Sequence, residues 1–131
     1  MITKIISGLL GVSIVLSSSS VLARSIFMGV TKDGAKLYAL TGYPPNSEDD
    51  GLEGWTSFTY GIEDAKGYRK VEAYTSFCNG GKVLSQPVKG TNDPLKVPGW
   101  HSNTPSGSVS VIADSKASLD LLNAICAVVY Q

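Results

Sequence analysis

The sequence predicts an α+β domain: a twisted antiparallel β-sheet of about five to six strands, one C-terminal helix packed on it, and one disulfide. Three observations predict it. Apolar and polar residues alternate with the period of a strand through the middle of the chain. The C-terminal stretch instead repeats apolar residues at helical spacing. The only two cysteines, Cys78 and Cys126, fall one in each pattern.

The elements follow in order. Ile26 to Val30 and Leu37 to Leu40 read as a hairpin, because Lys32-Asp33-Gly34 between them contains the Asp-Gly pair that tolerates positive φ in a tight turn. Gly42 to Gly54 carries Pro44-Pro45, Asn46 and the run Glu48-Asp49-Asp50, the composition of a surface loop. Trp55 to Ile62 alternates, with Phe58, Tyr60 and Ile62 on one side and Ser57 and Thr59 on the other. After a polar turn at Glu63 to Gly67, Arg69 to Cys78 sets Val71, Ala73, Thr75 and Phe77 against Glu72, Tyr74 and Ser76. Asn79-Gly80-Gly81 is a turn, and Lys82 to Ser85 returns as a partner strand.

Pro87 to Ser106 holds four prolines and no usable period, so it reads as a long ordered loop or a pair of short strands pinned by Trp100. Ser108 to Ala113 is the last strand. Asp114 or Ser115 then caps a helix running to about Val129, since either side-chain oxygen can accept from the first free amides. Leu121, Leu122, Ile125, Cys126 and Val129 make its apolar face, which turns Cys126 toward the sheet while Cys78 lies at a strand end.

Residues 1–23 have the pattern of a secretory signal peptide. Lys4 gives a positive start, Ile5 to Leu16 is apolar, and Val21-Leu22-Ala23 ends in small residues. That run of about a dozen residues is shorter than the ~20 needed to span a bilayer. Residues 24–131 then form a single small exported domain, placed in the periplasm or outside the cell. Lys4 falls in the leader, so the eleven Lys and Arg residues drop to ten against eleven Asp and Glu, a net charge near −1. This balance argues against nucleic acid, which needs clustered cations, and against attachment to an anionic membrane. No second apolar run supports stable membrane insertion, and no cysteine follows Ala23 to take a lipid.

In an exported domain of this size, two cysteines favour a disulfide over two buried thiols. Closing a loop of about 49 residues contributes roughly 4 kcal/mol in the chain-entropy model.

No motif calls for a cofactor, and the candidate chemical sites are sparse. Asn46, Glu48, Asp50 and Gly51 imitate part of a calcium loop over residues 46–53, yet Ser57 stands where a bidentate acid belongs. His101 is the only histidine. A hydrolase would need it to activate Ser102 or Ser106 with Asp93 or Asp114 behind it, but without a nucleophile motif the expectation is a surface histidine beside a buried or half-buried Trp100. One histidine and two paired cysteines leave too few ligands for zinc. The acid pairs Asp49-Asp50 and Glu63-Asp64 read as hydrated turns, and Gly80-Gly81 lacks a phosphate-binding context. Aromatics can anchor a protein or carbohydrate surface, and Tyr43, Tyr68 and Trp100, with His101, are the candidates to meet a partner.

From Tyr74 to Cys126 the chain runs through an aromatic-rich strand, Cys78, a turn, a strand and a Trp-containing loop. It then reads Ala113-Asp114-Ser115-Lys116-Ala117-Ser118 and Leu121-Leu122-Asn123-Ala124-Ile125-Cys126. This order resembles the small exported surface-adhesin E-like bacterial domains, cyanobacterial-type versions among them. In those a strand cysteine pairs with one in a closing helix of the form Ser-x-x-x-Leu-Leu-x-x-x-Cys. Here Ser118 to Cys126 is one residue shorter. The resemblance covers roughly half of residues 24–131. It implies an α+β domain that binds an extracellular or envelope protein without enzymatic activity.

The expected function is therefore a non-catalytic exported binding or adhesion-type module, with Gly42 to Gly54 and Pro87 to Ser106 as contact loops. The alternative is a small periplasmic enzyme inhibitor of lysozyme or a protease, suggested by Phe77-Cys78-Asn79-Gly80-Gly81-Lys82. A hydrolase using His101 ranks last.

Overall fold

A computed structural model describes residues 25–47 and 53–130. The strands are β1 (Ser25–Val30), β2 (Lys36–Leu40), β3 (Thr56–Asp64), β4 (Gly67–Thr75), β5 (Cys78–Asn79), β6 (Lys82–Val83), β7 (Gly99–Thr104) and β8 (Gly107–Ile112), followed by helix α1 (Lys116–Tyr130). Six of them form one antiparallel sheet in the order β1-β2-β3-β4-β7-β8, and β5-β6 make a small second ladder. The leader at residues 1–23 lies outside the described residues, as do Glu48, Asp49, Asp50 and Gly51 of the acidic loop.

The β3–β4 hairpin is the longest pairing, from Thr56↔Thr75 to Asp64↔Gly67. At its turn the Asp64 carboxylate accepts both guanidinium nitrogens of Arg69, at 2.9 and 3.0 Å, and the Lys66 amide. These bonds, Arg69's above all, hold its pKa down at about 2.

Alternation places Phe58, Tyr60 and Ala73 on one face with Leu37, Ala39 and Trp100, where α1 covers them with Ala117, Leu121, Leu122, Ile125 and Cys126. Tyr60 and Trp100 bring polar atoms into this core. Ser102 satisfies both, at 2.8 Å from the Tyr60 hydroxyl and 3.1 Å from Trp100 Nε1. The side chain of Val129 lies outside the described ones.

Helix α1 starts at Ser115. Its Oγ accepts from the Ser118 amide (3.1 Å), and Ser118 Oγ accepts from the Ser115 amide (3.0 Å). This is a reciprocal capping box with Ser118 in the place of the usual Glu or Gln. Close approach of the helix to β1 requires Gly29, where φ is +127° and a Cβ would meet Ala117 Cβ at 3.1 Å. Cys126 of α1 is bonded to Cys78 at the head of β5, with Cα atoms 5.0 Å apart. The disulfide ties the helix to the small ladder beside the main sheet.

Two expectations are corrected. The strand expected to run from Arg69 to Cys78 ends at Thr75. The Thr75 hydroxyl accepts from the Phe77 amide and donates to the Gly99 carbonyl, which turns the chain out of the sheet. The segment from Pro87 to Ser106, read as a long ordered loop or a pair of short strands, is a loop followed by one strand. Its second half is β7, hairpinned to β8 with Thr104↔Gly107 at the turn, and Asp93 in its first half is buried.

Candidate functional site

The face of the sheet opposite α1 is the candidate site. Cross-strand register builds it row by row. Phe27, Tyr38, Gly61 and Lys70 form one row, Thr59 and Glu72 the next, and Ser57, Tyr74, His101 and Ser110 a third. At one end Tyr38 packs between Phe27 and Tyr68, with centroids at 5.5 and 5.7 Å. The ring of Tyr68 lies over Gly61, where a Cβ would stand 2.6 Å from its hydroxyl. Burial, then the neighbouring Glu63, raises the Tyr38 pKa.

At the other end Trp55 meets Tyr74 edge-on at 5.3 Å, and both cover the His101 ring, at 5.8 and 5.3 Å. Between them runs an open groove of about 850 Å³, with Tyr43, Trp55 and Tyr74 supplying rings and Thr59, Glu72 and Asn103 supplying polar groups. Lys70 closes one rim. Its Nζ donates to the Tyr43 hydroxyl at 2.8 Å and lies 4.9 Å from the ring centroid.

Below the rings runs a hydrogen-bond relay. Asp93, 1% exposed, accepts from Ser76 Oγ (2.6 Å), from the Leu95 amide (2.9 Å) and from His101 Nε2 (2.8 Å). Burial pushes the Asp93 pKa up, but the bonds from Ser76, Leu95 and His101 outweigh it and hold the carboxyl below its ordinary value. An ionised carboxylate only accepts, so His101 carries its proton on Nε2. In the neutral ring Nδ1 then accepts from Ser110 Oγ at 2.9 Å. Ser110 is exposed on the edge strand β8, whereas His101 and Asp93 are buried.

The residues singled out in the sequence divide evenly. Tyr43 and Tyr68, 40% and 47% exposed, both lie on the open face. Trp100 does not. It is 1% exposed on the helix side, between Phe58 and Tyr60 at 6.0 and 5.5 Å, because its position in β7 points it into the core. His101 is not a surface histidine either, since the adjacent position points it under Trp55 and Tyr74 and onto Asp93. Asp93 is the acid that holds it. Its serine partner is Ser110, not Ser102, which faces the core, nor Ser106 in the β7–β8 turn.

Sequence reasoning missed Trp55, Glu72, Tyr74 and Asn103. Tyr74 was legible, since alternation had set it with Glu72 on the side away from Val71 and Ala73. Among the described residues no three His, Cys, Asp or Glu side chains converge as metal ligands. No helix among them is long and apolar enough to cross a membrane. Comparison with known proteins brings no match to a family model, a curated protein or a solved structure.

Proposed function

We propose that the chain is an exported, non-catalytic binding or adhesion-type module that receives its partner on the open sheet face. The observation that carries this reading is the groove between Tyr43, Trp55 and Tyr74, which presents aromatic rings beside Glu72 and Asn103 on the side that α1 leaves uncovered. The disulfide supports an oxidising location. The resemblance to surface-adhesin E-like domains supports a partner in the envelope or outside the cell. The test is co-sedimentation of the purified domain with native envelope fragments. Retention that falls with Tyr43→Ala and persists with Ser110→Ala supports the reading. Retention indifferent to Tyr43→Ala overturns it, and stoichiometric inhibition of lysozyme or a serine protease favours an inhibitor instead.

A second reading has its own observation. Ser110, His101 and Asp93 stand in the order nucleophile, base and orienting acid, at 2.9 and 2.8 Å. Two features weigh against hydrolysis. Ser110 lies within an edge strand rather than at a turn, and His101 is one of the donors that the buried Asp93 requires in any case. Labelling of Ser110 by a fluorophosphonate, lost in His101→Asn, would favour the enzyme; an unlabelled protein leaves the relay a structural brace.

A further inference from the structure

We infer that the ligand of the groove is a neutral oligosaccharide, bound by ring stacking and hydrogen bonds from side chains alone. This rests on the binding-module reading and names its ligand class.

The backbone under the groove is already committed. Ser57, Phe58 and Thr59 pair with Tyr74, Ala73 and Glu72, and on its other side Ser57 exchanges bonds with Asn46 at 2.9 and 2.8 Å. Among the described residues an extended peptide laid there meets β4 on one side of Ser57 and Asn46 on the other, so the main-chain bonds of strand addition are already taken at Ser57. Recognition falls to the side chains.

Those side chains are of two kinds. The apolar surface is mainly aromatic, from Tyr43, Trp55 and Tyr74 with Pro44 beside them, because Phe58 and Ala73 direct their side chains to the core. Flat rings accept the C–H face of a sugar but form none of the deep pockets that select an aliphatic side chain. The polar surface is a carboxylate, an amide and two hydroxyls, from Glu72, Asn103, Thr59 and Ser57. A carboxylate beside an amide can accept from and donate to adjacent hydroxyls.

Charge argues for a neutral ligand. The Lys70 ammonium on one rim and the Glu72 carboxylate in the wall oppose each other, and residues 24–131 carry a net charge of only about −1. An anionic polymer gains no basic track here, and a polycation meets Lys70. At about 850 Å³ the groove lies high in the range of sites that enclose small ligands, roughly 300–1,000 Å³, enough for more than one sugar ring.

The chain reports on its own groove, because it has two tryptophans and Trp100 is buried in the core. Chitohexaose, cellohexaose and maltohexaose, with a sulfated heparin hexasaccharide as anionic control, are titrated against the intact domain while Trp fluorescence and calorimetric heat are followed. The expected result is saturable binding of at least one neutral hexamer, with acrylamide quenching of Trp55 reduced. Tyr43→Ala and Glu72→Gln, both at exposed positions, are expected to weaken it tenfold or more at an unchanged melting temperature. No binding by any neutral hexamer at millimolar concentration, or binding of the heparin fragment alone, overturns the inference. If envelope retention still depends on Tyr43 in that case, the binding-module reading stands and only the ligand class is wrong. If that dependence is missing too, both fall.

Discussion

Replacing Asp93 by alanine probes the relay that holds the open face to the rest of the molecule. The carboxylate is 1% exposed and receives Ser76, the Leu95 amide and His101. Its removal leaves two buried donors, Ser76 and His101, and the part-buried Leu95 amide without an acceptor, each buried one costing about 1–3 kcal/mol. The three share one site, so the penalties do not simply add, and a total of about 3–5 kcal/mol is expected. At about 4–8 °C per kcal/mol for a small domain, the melting temperature falls by about 12 °C or more.

The pH dependence has a definite sign. The folded pKa of Asp93 lies below its unfolded value of about 3.9, so its contribution is complete above that value and is lost as pH falls through the folded one. Asp93→Ala should therefore flatten the stability profile below about pH 4. Urea unfolding of both proteins from pH 2 to 7 measures this. A variant within about 0.5 kcal/mol of the parent at pH 7, with the same acid slope, would refute the relay.

Further outcomes can be checked in the same samples. Cys78→Ser or Cys126→Ser opens a link between residues 48 apart and should cost about 4 kcal/mol, read as a lower melting temperature in oxidised samples. An unchanged midpoint would mean that the helix needs no covalent tie. Ser115→Ala removes the acceptor of the Ser118 amide at the start of α1 and should cost about 1 kcal/mol by urea unfolding. Trp55→Phe leaves Trp100 as the sole tryptophan, so emission should shift to the blue and acrylamide quenching should nearly vanish. Strong residual quenching would place Trp100 near solvent.

Much of this architecture is legible in the chain because alternation and helical spacing report which face is buried. Phe58, Tyr60 and Ala73 turn inward as their pattern requires, and so do Leu121, Leu122, Ile125 and Cys126. The break after Thr75 is not legible, since the alternation through Phe77 continues unbroken while a hydroxyl captures the backbone. The strand β7 is hidden for a different reason. Its inward residues are Trp100 and Ser102, and a serine there reads as polar surface although it serves two core aromatics. That masked period led to Trp100 and His101 being expected in a partner-facing loop. Pairing of Asp93 with His101 was foreseeable as one combination of residues. The choice of Ser110 depends on the β7–β8 register, which no spacing in the sequence discloses.

The uncovered aromatic face is tested most directly by hydroxyl-radical footprinting of the intact domain, free and then saturated with native envelope fragments. Protection of Tyr43, Trp55, Tyr68 and Tyr74 is predicted, with Leu119 and Val128 on the exposed side of α1 reacting as before. Protection of Leu119 and Val128 while the four aromatic residues stay reactive would contradict it.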